Sequence, residues 1–279
     1  AKPKWWPVSS GTGSVPRKYQ GYMMNAHVKI LTVGVAALLC SLSNAFVTNA
    51  FGQASVITAT FTNNTFGTIP WNVGSNWDSN PQWPSGEGAV ANFNGTVDGS
   101  TNPARSISMS SAVVVSEISF NLDTSNDTQN RDTRFINGTG GSLAFNGAGS
   151  SPAILNVGGT GNSRLSFEGG GASAFALQSD IVATVSNTTY TGTTGAMNVQ
   201  SPITGAFGFT KEGAGTMTFS SNAKTFSGPT VLNGGRTRMS LAGRTSNTSS
   251  FTINNNAHLE MISDGDYTLG PGTLFLNGI

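Results

Sequence analysis

The sequence predicts an all-β protein, a right-handed parallel β-helix (β-solenoid) preceded by the helix of a signal peptide. Short apolar segments alternate with polar residues at period two, and glycine-rich turns separate these segments. Of the 279 residues, 36 are glycine and only 10% are charged, which argues against a helical bundle and against a disordered polyelectrolyte. Strands this short bury little surface in a flat sheet, so we expect each strand to stack on its predecessor in a coil.

The chain is organised around residues 209–241, where the pattern is clearest. Glycine and asparagine, which tolerate positive φ, fall between three strand-sized apolar pieces. Six motifs follow one another there: Lys211, Gly213-Ala214-Gly215-Thr216, Met217-Thr218-Phe219, Phe226-Ser227-Gly228, Thr230-Val231 and Asn233-Gly234-Gly235.

In this order the six motifs resemble one unit of the autotransporter-associated β-strand repeat. Repeats of this family occur in large surface proteins of Gram-negative bacteria, ahead of an outer-membrane barrel or of a C-terminal sorting signal. The resemblance therefore implies a passenger-like β-solenoid that is secreted or located at the cell surface, with the barrel or sorting anchor outside this chain. It also implies a turn or surface role for Lys211 rather than a catalytic one.

The chain begins with a segment that we do not expect to be part of the fold. Residues 1–22 lack an initial Met and show no periodicity. We interpret them as unstructured, or as upstream sequence translated before a true start at Met23 or Met24.

Residues 23–54 have the pattern of a signal peptide. A basic segment precedes an apolar run, residues 30–42, that is too short to span a bilayer comfortably. Small side chains favour cleavage after Ala45 or after Ala54. The single cysteine, Cys40, would leave with this peptide, so we expect a mature protein without disulfides that is stabilised by stacked apolar rows and hydrogen-bond ladders.

Residues 55–104 are rich in tryptophan and are predicted to form the N-terminal cap of the solenoid. Trp71, Trp77 and Trp83 can cover the open end of the coils, which otherwise exposes apolar side chains and unpaired strand edges. The alternative is a glycan contact, because indole faces stack on pyranose rings. The block also resembles, more loosely, the opening of many proteins that carry this repeat.

Residues 105–279 are predicted to form the coils. Apolar pairs recur at spacings near ten residues with glycines between them, and no stretch shows helical periodicity over a useful length. The pattern continues to the last residue, so we expect a chain truncated at its C-terminus.

The charge distribution argues against nucleic-acid binding. Five basic residues and no acidic residue precede position 55, whereas nine basic and 13 acidic residues follow, a formal net charge of −4. Phosphate neutralisation needs a basic stripe, which this part of the chain lacks.

No pattern in the sequence indicates catalysis, a metal or a cofactor. The densest acidic cluster, Asp123, Asp127 and Asp132, is predicted to lie in an extended solvated loop rather than in a catalytic or calcium site. His258 is the only histidine after the signal peptide, and one histidine without cysteine cannot build a nitrogen–sulfur zinc site.

The sequence thus predicts a structural or adhesive passenger, exported through its signal peptide by the export machinery and displayed on or released from a bacterial cell surface. Glycans or other cell-surface components are the expected partners, and no catalysis is expected. Two alternatives are a carbohydrate-active β-helix enzyme, such as a polysaccharide lyase or glycosidase, and a lectin-like glycan-binding module that uses Trp71, Trp77 and Trp83.

Overall fold

A computed structural model describes residues 56–63, 65, 67–96, 104–124, 131–168, 175–267 and 269–278, with backbone only for Thr96 and Arg131. The upstream segment, the signal peptide with its helix and both cleavage sites therefore lie outside the described residues.

The described chain is built from short β-strands. In chain order they are β1 Thr58–Thr60, β2 Gly67–Pro70, β3 Val90–Thr96, β4 Ala104–Met109, β5 Ala112–Val115, β6 Glu117–Thr124, β7 Arg131–Asn137, β8 Ser142–Phe145, β9 Ala153–Val157, β10 Thr160–Gly161, β11 Ser163–Phe167, β12 Phe175–Leu177, β13 Ile181–Val185, β14 Met197–Val199, β15 Ile203–Gly205, β16 Phe209–Glu212, β17 Met217–Phe219, β18 Thr230–Leu232, β19 Gly235–Met239, β20 Ser250–Ile253, β21 Ala257–Met261 and β22 Thr273–Leu276. Within the described ranges the one helical element is a 3₁₀ turn at Gly74–Asn76. These ranges contain no helix that is long and apolar enough to cross a membrane.

Successive strands of the chain belong to three different parallel sheets. The first sheet has the order β1-β3-β6-β9-β13-β16-β18-β20-β22, with β10 also paired to β6. The second sheet runs β2-β4-β7-β11-β14-β17-β19-β21, and the third runs β5-β8-β12-β15. Neighbours in a sheet are thus separated by one coil of chain, which confirms the all-β, parallel β-helix prediction.

The coils become regular at the stretch singled out in the sequence. Phe209 aligns with Thr230, and Thr230 aligns with Phe251, so two successive coils are each 21 residues long. The third sheet has no assigned strand after β15. The parallel bridge between Lys224 and Thr245 continues the stacking of coils on that side.

The core consists of inward-facing rows that run from coil to coil. Period-two alternation places every second side chain of a strand inside, as in β4, β9 and β13. One row of the second sheet contains Ile69, Ile107, Phe135, Phe167, Val199, Phe219 and Met239, all buried. The burial of such rows is the main favourable contribution to folding.

Candidate functional site

Trp71 and Trp77 lie inside the first coils. Both indoles are buried, and their ring centroids are 4.8 Å apart. Trp71 Nε1 donates to Pro84 O at 3.0 Å, and Trp77 Nε1 donates to Trp71 O at 2.8 Å. Each indole thus has an apolar environment and a partner for its N–H, as buried tryptophans require.

The local sequence brings these two indoles together through a tight turn. The 3₁₀ turn Gly74–Asn76 reverses the chain between them, with Trp77 N donating to Gly74 O at 2.9 Å. Asn76, itself buried, donates through Nδ2 to Pro70 O at 2.7 Å. Gly74 also lets another segment approach closely, because a Cβ built there would lie 2.1 Å from Pro81 O.

Trp83 differs from the other two tryptophans because it is only partly buried. It lines an open cleft of about 400 Å³. No acceptor for its Nε1 lies among the described contacts, in contrast to those of Trp71 and Trp77. The other lining residues are Ile57, Pro81, Gln82, Ser85, Ser111 and Ala112.

The structure therefore separates the three tryptophans that the sequence grouped as glycan contacts. Stacking a sugar on Trp71 or Trp77 would require opening the core, whereas Trp83 borders solvent. The cap role of residues 55–104 and the glycan contact both stay predictions. Of the three tryptophans, Trp83 is the one whose side chain is exposed enough to contact a glycan.

A cluster of charged side chains lies on the outer surface of the second sheet. Arg164 on β11 aligns with Asp132 on β7 and donates to it from Nη2 at 2.5 Å and from Nε at 3.1 Å. Asp132 also accepts from Arg134 Nε at 2.8 Å and from Ser166 Oγ at 2.7 Å. The carboxylate is buried, and all four bonds converge on its two oxygens.

Asp132 corrects the prediction of a solvated loop at this position. It belongs to a strand and is buried because cationic partners from two coils neutralise it, as a buried carboxylate requires. Asp123 is the penultimate residue of β6 and is exposed, and Asp127 lies outside the described residues.

Two pKa shifts follow from this cluster. Burial alone would lower the pKa of the Arg164 guanidinium, but its hydrogen bonds to Asp132 and the negative charge there raise it above the ordinary value. Burial raises the pKa of Glu168, and the charge of Arg134, whose Nη1 lies 3.4 Å from Glu168 Oε2, opposes that rise. The charged side chains of the cluster are therefore paired with one another.

Three cations lie inside the solenoid rather than on its surface. Arg105 stands in an inward row of β4, donates to Thr133 Oγ1 at 3.0 Å, and has its pKa lowered to about 10 by burial. Lys211 donates from Nζ to the carbonyl oxygens of Glu212, Gly213 and Gly234 at 3.1, 2.6 and 2.7 Å. The turn role predicted for Lys211 agrees with these contacts, whereas a surface position is wrong because the side chain is fully buried.

Lys224 repeats this arrangement at the third side of the same coil. Its Nζ donates to Ser220 O at 3.0 Å and to Asn222 O, and it lies 5.8 Å from the ring centre of Phe219. Burial lowers its pKa to about 7, whereas that of Lys211 is lowered to about 8. Both lysines therefore close turns from inside the coil.

The first sheet presents an outer row of a different kind, in which asparagine amides follow one another. Asn277 Nδ2 donates to Asn254 Oδ1 at 2.6 Å, and Asn254 Nδ2 donates to Asn233 Oδ1 at 2.5 Å. Asn233 Nδ2 in turn donates to Glu212 Oε1 at 2.5 Å. This polar ladder links four successive coils along one outer row.

The same sheet carries a shallow polar groove of about 430 Å³ at earlier coils. Gly158 leaves a recess there, since a Cβ at this position would lie 3.2 Å from Asn121 Oδ1 and 3.4 Å from Ser186 Oγ. The other lining residues are Asn92, Asn94, Ser119, Phe120, Asn156 and Thr184. Across the described ranges, no three His, Cys, Asp or Glu side chains approach closely enough to hold a metal ion.

These observations define a parallel β-helix protein whose turns are closed by buried lysines and whose outer faces are polar. Residues 209–238, which include β16, β17 and β18, match the family model described as passenger-associated-transport-repeat. The match confirms the resemblance to autotransporter-associated repeat proteins. No curated protein and no solved structure gives a significant match to the chain. A repeat of this kind suggests an autotransporter passenger and implies a secreted or surface-exposed protein.

Proposed function

We propose that this chain is an exported structural and adhesive passenger, displayed on or released from the surface of a Gram-negative bacterium. The observation that carries the proposal is the passenger-type repeat at residues 209–238, which spans one 21-residue coil and the start of the next within a parallel solenoid. The apolar run at residues 30–42 would direct export, and an outer-membrane barrel or sorting anchor would complete the route.

The physical basis that we propose for adhesion is a stack of coils with repeated outer faces. Successive coils extend the first and second sheets, so outer rows such as the ladder of Asn233, Asn254 and Asn277 repeat the same chemistry from coil to coil. Weak contacts at several coils add up when they act together, because later contacts form at a high effective concentration. Glycans or other cell-surface components are the partners that neutral amides and hydroxyls suit.

Export is tested by expressing the full chain in a Gram-negative host beside a variant in which the apolar run is interrupted, Leu38→Arg with Leu39→Arg. The intact chain should appear outside the cytoplasm in cell fractionation, and the variant should stay inside. Beads coated with the exported chain should then bind bacterial cells more than beads coated with a non-adhesive protein. Cytoplasmic retention of the intact chain, or equal bead binding, would contradict the corresponding half of the proposal.

The charged cluster around Asp132 favours a second candidate, a carbohydrate-active enzyme. Carboxylates and arginines from β7, β11 and the residues that follow them meet on one outer face, which is the arrangement such an enzyme needs. The four bonds to Asp132 instead suit a structural role. Incubating the exported chain with acidic and neutral polysaccharides, beside Glu168→Gln, distinguishes the two: enzymatic chain cleavage should be lost in the variant, whereas a structural cluster gives no cleavage in either protein.

A further inference from the structure

We infer that the cleft beside Trp83 is a binding site for an uncharged sugar unit. The cleft combines a partly exposed indole with hydroxyl and amide groups in a volume of about 400 Å³. Ligand sites for small molecules typically occupy about 300–1,000 Å³ and place a few polar groups on a largely apolar lining. The inference deepens the adhesive role proposed above and rests on it for its biological use.

The indole supplies an amphipathic surface of the kind that a pyranose ring covers. Trp83 is anchored at one side by packing on the core, and its other side borders the cleft. Its Nε1 remains available to a sugar hydroxyl, because the described contacts include no acceptor for it. A tryptophan with one apolar and one wet side is the form of this residue that is enriched at interfaces.

Two serines of the lining have hydroxyl groups that accept a hydrogen bond. Ser111 Oγ accepts from Asn72 Nδ2 at 2.7 Å, and Ser85 Oγ accepts from Val114 N at 3.2 Å. Neither hydroxyl donates a bond among the described contacts, so each can donate to a ligand. Gln82 adds both a donor and an acceptor, since a primary amide carries both.

The charge of the cleft selects against acidic sugars. Every lining side chain is uncharged. Two acidic residues flank it in sequence, and both are engaged elsewhere: Asp78 accepts from Thr60 N at 2.7 Å, and Glu87 accepts from Gly149 N at 2.7 Å. A uronate or sialate carboxylate would thus lose water without gaining a cationic partner, which is costly.

The loop that carries Trp83 is held in place independently of any ligand. Gln82 N donates to Ser79 O at 3.0 Å, and Ser79 Oγ donates to Gln82 O at 3.1 Å. Gly74 packs directly under Pro81. A loop fixed in this way loses little conformational entropy when a ligand binds.

The test uses the full chain, purified from whichever cell fraction contains it, and measures binding of neutral tetrasaccharides of glucose, mannose or galactose by calorimetry and tryptophan fluorescence. Tetragalacturonate is the acidic comparison. We expect at least one neutral tetrasaccharide to bind, and Trp83→Ala to weaken it on the order of tenfold or more. Phe207→Ala, which removes another partly exposed aromatic side chain outside the cleft, should leave binding unchanged.

Gln82→Ala tests the same cleft without touching the core, so it decides the question if Trp83→Ala fails to fold; it should weaken binding several-fold. The inference is overturned if no neutral tetrasaccharide binds, or if tetragalacturonate binds as well as the neutral sugars. It is also overturned if Trp83→Ala binds the sugar normally. Where Trp83→Ala does not fold, normal binding by Gln82→Ala overturns it. Because binding is measured on purified chain, an export-competent protein that binds no sugar refutes only this inference. Sugar binding by a chain that is retained in the cytoplasm would refute only the proposed export.

Discussion

The ammonium of Lys211 lies 2.7 Å from the carbonyl oxygen of Gly234, which belongs to the following coil. Lys211 occupies an inward position, aligned with Ala183 in the preceding coil and with Leu232 in the next. Its Nζ leaves the apolar row to reach turn carbonyls in both coils, including that of Gly213. The side chain therefore joins successive turns, and three donated bonds require the protonated amine.

The first prediction concerns this link. In Lys211→Met the apolar stem is kept, but three turn carbonyls lose their donor. Because an unsatisfied buried polar group costs about 1–3 kcal/mol, we expect the free energy of unfolding to fall by at least about 1 kcal/mol, even after the gain from removing a buried charge. Urea denaturation measures the change. Arg236→Met, at a largely exposed side chain, should change stability by less than about 0.5 kcal/mol, and equal values for both variants would contradict the role assigned to Lys211.

The second prediction is a stability that rises with pH. Burial lowers the pKa of Lys224 to about 7 and that of Lys211 to about 8, from an ordinary value of 10.5 that the unfolded chain retains. Above about pH 7 the unfolded chain therefore binds more protons than the folded chain, so stability should increase until about pH 10. Measuring the melting temperature at several pH values between pH 6 and pH 10 tests for this rise.

Lys224→Met is the control for the pH effect. The variant should lose the increase that begins near pH 7 and keep the smaller one from Lys211 that begins near pH 8. Identical pH profiles for the variant and the parent chain would show that Lys224 stays protonated in the folded state throughout this range.

The inward position of both lysines could have been read from the sequence. Lys211 is two residues after Phe209, and Lys224 is two residues before Phe226, so each shares the face of a buried phenylalanine in a period-two pattern. The prediction for Lys211 instead followed the family resemblance, which implied a turn or surface role, and did not use this periodicity. The carbonyls that make such burial tolerable come from turns that only the stacked coils bring together.

The charged cluster could not have been found in this way. Asp132 and Arg164 are 32 residues apart, and their contact depends on the register between two coils. Coil length varies before the regular repeat: Ile118 aligns with Leu155, 37 residues later, whereas Ile181 aligns with Phe209, 28 residues later. A pattern of strands and turns predicts the stacking of coils but does not specify which side chains become neighbours.

The third prediction tests the cluster. Asp132→Asn removes the negative charge that two arginines share in a buried position, so we expect a loss of about 3 kcal/mol in the free energy of unfolding. Glu260→Gln is the matched control, because Glu260 pairs with Arg236 and Arg238 on the same sheet but is one-third exposed. In this variant the free energy of unfolding should fall by less than about 1 kcal/mol. Similar losses for both variants in chemical denaturation would mean that burial does not distinguish the two carboxylates.

The fourth prediction connects the first coils to the cleft. In Gly74→Ala the new methyl group would lie 2.1 Å from Pro81 O, a distance that real atoms do not adopt, so the backbone on one side must move. We expect overpacking to cost about 1–3 kcal/mol. Since Pro81 and Trp83 line the same cleft, the shift should also change the environment of the indole and move the fluorescence emission of the protein to longer wavelength.

Ser75→Ala is the control for Gly74→Ala, because it adds no atoms and lies at an exposed position of the same 3₁₀ turn. It should leave both the melting temperature and the emission spectrum close to those of the parent chain. If Gly74→Ala behaves like Ser75→Ala, the contact between Gly74 and Pro81 does not position the loop, and the cleft beside Trp83 must be held by the Ser79–Gln82 bonds alone.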